Sequence, residues 1–136
     1  MREILFRGKR VDNGEWVEGC GIIATENWVS IFTVIDDIDE NSSEVNEIEV
    51  LPETVGQFTG LFDKNGKKIF EGNIVRYDVN YHDMVISYDV ENWGGWLYED
   101  MDDNMQAYSI YEFNLKDIAV IGNIHDNPEL LKGGTE

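Results

Sequence analysis

The chain has 136 residues, a hydrophobic content of 42% and a formal net charge of −18 at pH 7. This length predicts a single domain, residues 1–136, and the composition excludes a disordered chain. No apolar run approaches the roughly 20 residues that cross a bilayer. The charged N-terminus lacks the apolar core of a signal peptide. The chain has a single cysteine, Cys20, which excludes an internal disulfide. We therefore expect a cytoplasmic protein without membrane contact.

The first part of the chain predicts short β-strands separated by turns. A strand at 3–7 leads into a reversal at Asn13-Gly14, where both residues tolerate the positive φ of a tight hairpin. Segments 22–24 and 28–35 are rich in β-branched and apolar residues and predict two further strands. The polar, acidic segment 36–46 predicts a mobile loop.

The segment 50–77 is predicted to be the centre of the fold. An Asn65-Gly66 reversal separates two apolar arms and predicts a second hairpin. Gly72, preceded by Glu71, predicts a corner into a strand at 73–79. In that strand Ile74, Arg76 and Asp78 alternate with Val75, Tyr77 and Val79, which is the period of two expected for a strand. A corner glycine before such a strand is typical of small SH3-like barrels.

The last part of the chain predicts more strands and one helical turn. A strand at 84–90 precedes a reversal at Gly94-Gly95. Asn127-Pro128 predicts a helix start, with the asparagine as its cap. Two further strands lie between these features, at 109–113 and 117–124.

Together these elements predict a mainly β fold of about ten short strands, in a barrel-like arrangement or a strongly bent sandwich with SH3-like character and a short C-terminal helical turn. Within the single domain, we expect residues 1–50 to form a hairpin region that packs on a barrel-like core at 51–131. Residues 132–136 are expected to form a disordered tail.

Eight of the ten Lys and Arg residues lie in two short segments, the basic islands 2–10 and 64–76. Residues 11–63 and 77–115 contain no cation and are rich in Asp and Glu, including a second acidic loop at 99–104. The negative electrostatic potential of these acidic segments opposes binding to the phosphate backbone of nucleic acids. It permits contact with a basic partner or with another copy of the chain. The predicted contact residues in the islands are Arg7, Lys9, Arg10, Lys64, Lys67, Lys68 and Arg76.

Two tryptophans, Trp93 and Trp96, flank the Gly94-Gly95 reversal. Their spacing is typical of a cross-strand aromatic pair, and an exposed patch for a protein partner is the alternative. A stacking platform for single-stranded nucleic acid would need nearby cations, which residues 77–115 lack. We therefore expect no direct binding of nucleic acid.

No residue pattern predicts a catalytic, cofactor or metal site. The segments 37–41 and 100–104 begin like calcium loops but lack the glycine and the bidentate glutamate that such loops need. Cys20, His82 and His125 have no metal-ligand spacing, and Cys20 is expected to be a small buried residue. Among 28 acidic residues some carboxylates always lie close together, so carboxylate chemistry stays open.

Three blocks of the sequence carry recognisable motifs: Phe-Arg-Gly-Lys-Arg-Val-Asp-Asn-Gly-Glu-Trp-Val at 6–17, Asp-Lys-Asn-Gly-Lys with Ile-Phe-Glu-Gly-Asn-Ile-Val at 63–75, and Val-Ile-Gly-Asn-Ile-His-Asp-Asn-Pro-Glu-Leu-Leu at 120–131. In this order they resemble the YopX family of phage and prophage proteins. The resemblance implies a mostly β, barrel-like fold with a short C-terminal helix, in a protein of temperate phages that acts in the bacterial host cytoplasm. It brings no established activity.

Two positions depart from the family pattern. Asn73 stands where the family usually has Asp, and His125 stands where an aromatic residue is common. If the Asp had a chemical role, Asn73 would count against catalysis, whereas Asn serves equally well as a turn residue.

We expect a non-enzymatic protein-binding module without a cofactor, whose partner is a host protein or another copy of the chain in a homo-oligomer. The absence of a catalytic constellation and the segregated charge support this expectation. One alternative is an acidic nucleic-acid mimic, in which 36–49 and 99–103 imitate phosphates and occupy a host DNA-binding protein. A second alternative is a carboxylate-dependent or metal-dependent enzyme.

Overall fold

The computed structural model describes residues 4–36, 43–77, 82–89, 95–100 and 107–132. Within these residues the backbone forms twelve β-strands and three short 3₁₀ helices. The strands pair in three antiparallel sheets, and no pairing among the described strands closes a sheet into a barrel. The predicted mainly β fold is confirmed, with open sheets in place of a closed barrel.

The elements are short and follow one another with few connecting residues. The 3₁₀ helices are Pro52–Thr54, Leu115–Asp117 and Pro128–Lys132, and the last confirms the predicted C-terminal helical turn. The strands are β1 (Phe6–Lys9), β2 (Trp16–Gly19), β3 (Gly21–Ala24), β4 (Val29–Asp36), β5 (Ser43–Val50), β6 (Gly56–Phe62), β7 (Lys68–Phe70), β8 (Asn73–Tyr77), β9 (His82–Asp89), β10 (Gly95–Asp100), β11 (Ala107–Ser109) and β12 (Ile118–Asn123). Their orders in the sheets are β2-β1-β6-β7, β3-β4-β5 and β11-β10-β9-β8-β12.

The described fold divides into two compact units, Met1–Phe58 and Thr59–Glu136. The expectation of one domain, with 1–50 packed on 51–131, stays a prediction. In the first unit the reversal at Asn13-Gly14 joins β1 to β2 as predicted, because Gly14 has a φ of 74° and the Arg10 N–H donates to the Glu15 carbonyl at 2.9 Å.

Two glycines allow the β1–β2 hairpin to approach the sheet β3-β4-β5 closely. A Cβ on Gly8 would lie 3.1 Å from the Val50 Cβ, and a Cβ on Gly19 would clash with the Phe32 carbonyl oxygen. Between these two layers Ile31 is 0% exposed and Val50 is 1% exposed. The core of the first unit therefore lies between the hairpin and the three-stranded sheet.

The structure contradicts the loop predicted at 36–46 in its described part, because Asp36 belongs to β4 and residues 43–46 belong to β5. Strands β4 and β5 pair without interruption from Val29 and Val50 to Asp36 and Ser43. The prediction of a loop at 43–46 is therefore wrong, because cross-strand pairing continues through these residues. Residues 37–42 lie outside the described part of the chain.

The second unit buries its core against the five-stranded sheet. The reversal at Asn65-Gly66 and the corner at Gly72 are confirmed, with φ of 80° at Gly66 and 89° at Gly72. Buried side chains from five strands and one turn form a single cluster: Ile69, Val75, Met84, Ile86, Tyr98, Ile110 and Ile118.

The end of the second unit differs in detail from the prediction. The strand expected at 109–113 ends at Ser109, because the Glu112 N–H donates to the Ser109 carbonyl at 2.9 Å and closes a turn. The Asn127 side chain accepts from the Asn123 N–H at 3.1 Å and so binds the end of β12, while its predicted role as the cap of the following helix stays a prediction. No helix in the described ranges combines the length and the apolar character of a membrane span.

Candidate functional site

The first basic island places two cations beside one aromatic ring. Side chains alternate along a strand, so Arg7 and Lys9 lie on the face of β1 opposite the buried Gly8. Trp16 pairs with Lys9 across the hairpin. The Arg7 Cζ lies 4.4 Å from the centroid of the Trp16 ring and the Lys9 Nζ lies 5.7 Å from it. We call Arg7, Lys9 and Trp16 the basic face.

Arg10, the third predicted cation of this island, forms a local ion pair. Its Nε and Nη2 donate to the Asp12 carboxylate at 2.9 and 2.8 Å. The hydrogen bonds from Arg10 lower the pKa of Asp12 and, in return, raise the pKa of Arg10. Exposed pairs of this kind contribute little to stability, and the geometry makes Arg10 part of the hairpin turn.

The second basic island lies in the second unit. Lys64 and Lys67 are exposed in the turn between β6 and β7, and the Asp63 carboxylate holds that turn by accepting from the N–H groups of Asn65 and Lys67 at 2.9 and 2.8 Å. Lys68 is half-buried at the start of β7.

Arg76, the last cation of this island, is partnered. Its guanidinium donates to both carboxylate oxygens of Asp83 on the neighbouring strand β9, at 2.8 and 3.1 Å. A bidentate pair fixes the orientation of the guanidinium. Arg76 therefore contributes to the pairing of β8 with β9.

Of the two tryptophans predicted as contact residues, only Trp96 lies in the described part of the chain. Trp93 lies outside the described residues. Trp96 is half-buried against the core cluster and makes an edge-to-face contact with Tyr88, its cross-strand partner, at a centroid distance of 5.0 Å. The structure thus places Trp96 in hairpin packing.

The residues considered for metal or nucleophile chemistry do not converge within the described ranges. No group of three or more His, Cys, Asp and Glu side chains that could hold a metal occurs there. The two calcium-like segments fall mostly on residues 37–42 and 101–106, outside the description. Cys20 is exposed, so the expectation that it is buried is wrong. The neighbouring Gly19 is the residue that packs against the Phe32 carbonyl oxygen, whereas the Cys20 side chain is exposed.

A pocket of about 310 Å³ lies on the three-stranded sheet of the first unit and was not predicted from the sequence. It is lined by Trp28, Ser30, Glu47 and Glu49. Ser30 and Glu49 are directly opposite on β4 and β5, so they share one face of the sheet. We call these four residues the acidic pocket.

A short turn fixes the tryptophan of the acidic pocket. Four residues, 25–28, connect β3 to β4, and the Thr25 N–H donates to the Trp28 carbonyl at 2.8 Å. The Thr25 hydroxyl accepts from the N–H groups of Asn27 and Trp28 at 3.2 Å each. These hydrogen bonds hold the backbone of Trp28 in place.

Comparisons with known proteins address the fold and the family. The family model described as YopX protein matches residues 5–132. Protein EF1440 from Enterococcus faecalis, known from a crystal structure, is 23% identical, and the alignment covers 96% of this chain and 99% of that chain with a TM-score of 0.52. No curated protein matches. The likeness to the solved structure is one of fold.

Proposed function

The chain belongs to the YopX family, and we propose that it is a phage-encoded, non-enzymatic module that binds an acidic protein surface through its basic face. The observation that carries this proposal is the placement of Arg7 and Lys9 around the ring of Trp16 on the outer side of the β1–β2 hairpin. Arginine and tryptophan are enriched at the energetic centres of protein interfaces.

The geometry of the basic face suits a protein partner. Arg7, Lys9 and Trp16 are half-buried, so much of each side chain is already ordered by its neighbours. A cation that stacks on an aromatic ring loses less conformational freedom when a partner binds. Such side chains on the outer side of a pair of strands fit an acidic protein surface better than they fit a small substrate, which needs a concave site.

The charge of the chain supports a second copy as one such partner. With a net charge of −18 and its cations concentrated in two islands, the chain presents an acidic surface to the basic face of another molecule. Such complementarity steers association and is weakened by salt. A host protein with an acidic surface offers the same contact.

Light scattering and affinity capture test this proposal. We expect the solution mass of the wild type to exceed that of a monomer at about 50 mM salt and to fall towards it at about 500 mM, since added salt screens exposed charges. In Arg7→Glu with Lys9→Glu, self-association and capture of host proteins should both decrease. Lys116→Glu removes an exposed cation far along the sequence and serves as the control.

Two results would contradict the proposal when they occur together. One is a wild type that is monomeric at both salt concentrations. The other is a double variant that captures the same host proteins, in the same amounts, as the wild type. A folded double variant, shown by an unchanged urea midpoint, is required for both comparisons.

A further inference from the structure

The acidic pocket combines groups of three kinds on one sheet face. Trp28 is 36% exposed and offers a ring face, while Glu47 and Glu49 are exposed carboxylates two residues apart on β5. Residues two apart on a strand point to the same side. An aromatic ring and two carboxylates of like charge are thus brought together around one opening.

Ser30 gives an independent sign that the pocket is a site. This residue lines the pocket although it is only 3% exposed. Across the described ranges, no residue forms a hydrogen bond with its hydroxyl group. The Ser30 Oγ is not among the fully buried unpaired atoms of the described residues, so the oxygen can be reached from the opening of the pocket. An unpaired hydroxyl at the bottom of an opening is ready to bind a ligand.

The chemistry of these groups selects an organic cation. An indole ring attracts cations to its face, and two neighbouring carboxylates repel each other until a cation lies between them. A metal ion is a poor match, since indole is not a metal ligand and a hard cation needs more oxygen ligands than this pocket offers. A volume of about 310 Å³ is at the lower limit for ligand pockets, so the group bound is small.

Among organic cations, a guanidinium group matches the lining of the pocket best. Its planar fork of N–H donors can reach two carboxylates and a hydroxyl oxygen at once, while its flat face stacks on an aromatic ring. An ammonium group provides fewer donors and no flat face. The pocket lies on a sheet face that is open to solvent, where a side chain on another protein can reach it.

We propose that the acidic pocket binds the guanidinium group of an arginine side chain on a partner protein. Trp28 stacks on the group, Glu47 and Glu49 accept its N–H donors, and the Ser30 hydroxyl accepts one more. This site involves none of the residues of the basic face, and its test is independent of the function proposed above.

Titrations followed by ¹⁵N NMR test the proposal with acetyl-arginine amide, acetyl-citrulline amide and methylguanidinium at constant ionic strength. We expect saturable shifts of the Trp28 indole N–H and of the Ser30 and Glu47 amides with the arginine probe and none with citrulline, which has the same shape without the charge. Methylguanidinium should bind more weakly. If it binds as tightly as the arginine probe, the assignment to a protein side chain is overturned.

Variants of the pocket separate binding from folding. Glu47→Gln and Trp28→Leu should each weaken the arginine probe roughly two- to fivefold, which is the range for one exposed ion pair or one cation–π contact. Glu53→Gln removes an exposed carboxylate outside the pocket and should leave binding unchanged. Equal weakening by Glu53→Gln and Glu47→Gln would show a general charge effect and overturn the site.

Ser30→Ala distinguishes a binding hydroxyl from a structural one. Since the hydroxyl has no partner in the described fold, its removal should not lower the urea midpoint, and it should weaken the arginine probe measurably. If Ser30→Ala lowers the midpoint and leaves binding unchanged, the hydroxyl belongs to the fold and the proposal fails.

Discussion

The Asp63 carboxylate accepts a hydrogen bond from the Val120 N–H at 2.8 Å, joining two residues 57 positions apart. The same carboxylate accepts from Asn65 and Lys67 in the turn between β6 and β7. In addition, the Lys64 N–H donates to the Ile118 carbonyl at 2.9 Å. The turn between β6 and β7 is therefore held against β12 by the buried Asp63 side chain and by the backbone hydrogen bond of Lys64.

Replacement of Asp63 should destabilise the second unit. Asp63→Ala leaves three N–H groups without their acceptor, and we expect the free energy of unfolding to fall by about 3 kcal/mol. Asp63→Asn keeps one acceptor oxygen, so its loss should be smaller. Urea denaturation measures both. Asp12→Ala, at an exposed turn position, is the control and should change the free energy of unfolding much less.

The two Asn-Gly turns were predictable because their cause is local. At Asn13-Gly14 and Asn65-Gly66 the neighbouring residues alone favour positive φ, and both glycines adopt it. The basic face was half predictable: Arg7 and Lys9 were identified by charge, but the contact with Trp16 depends on hairpin register.

The acidic pocket could not be found in the sequence. Trp28 precedes β4 and Glu49 lies near the end of β5, and only the pairing of these strands brings their side chains together. The first half of β5, residues 43–46, was itself missed, because three of these four residues are polar and fit a loop as well as a strand. A short polar segment with one apolar residue shows too little alternation to predict a strand.

Gly19 should tolerate no side chain. A Cβ at this position would clash with the Phe32 carbonyl oxygen and lie 2.5 Å from the Ile31 Cγ2, so the hairpin would have to move away from the sheet. We expect Gly19→Ala to reduce the free energy of unfolding by roughly 3 kcal/mol. At Gly21 the nearest atom to a Cβ is 3.8 Å away, and Gly21→Ala is the matched control. Equal urea midpoints for the two variants would contradict the close packing.

Asn73 has a structural role that an aspartate can partly fulfil. Its Oδ1 accepts from the Phe70 N–H at 2.7 Å, whereas its Nδ2 donates to the Gly122 carbonyl at the longer distance of 3.4 Å. Asn73→Asp keeps the shorter bond, and Asn73→Ala loses both. We therefore expect Asn73→Ala to cost about 2 kcal/mol and Asn73→Asp less. A larger loss of stability in Asn73→Asp, measured by urea denaturation at pH 7, would contradict this interpretation.

Tyr98 should make stability depend on alkaline pH. Its side chain is 0% exposed, its hydroxyl has no hydrogen-bond partner within the described part of the chain, and burial raises its pKa to about 12. The unfolded chain ionises near its ordinary pKa of about 10. Because the raised pKa keeps the folded form neutral, its stability is complete below pH 10 and is lost as the pH rises towards 12.

Tyr98→Phe removes this pH dependence. At pH 8 the variant should be as stable as the wild type or slightly more so, since an unpaired buried hydroxyl is lost. At pH 11 the variant should gain a further advantage of about 1.4 kcal/mol, the value of one pKa unit. Urea midpoints at both pH values measure the difference. Tyr111→Phe, at a position 89% exposed, is the control and should show no such gain. If the difference in urea midpoint between wild type and Tyr98→Phe is the same at both pH values, the Tyr98 hydroxyl ionises as freely in the folded chain as in the unfolded one.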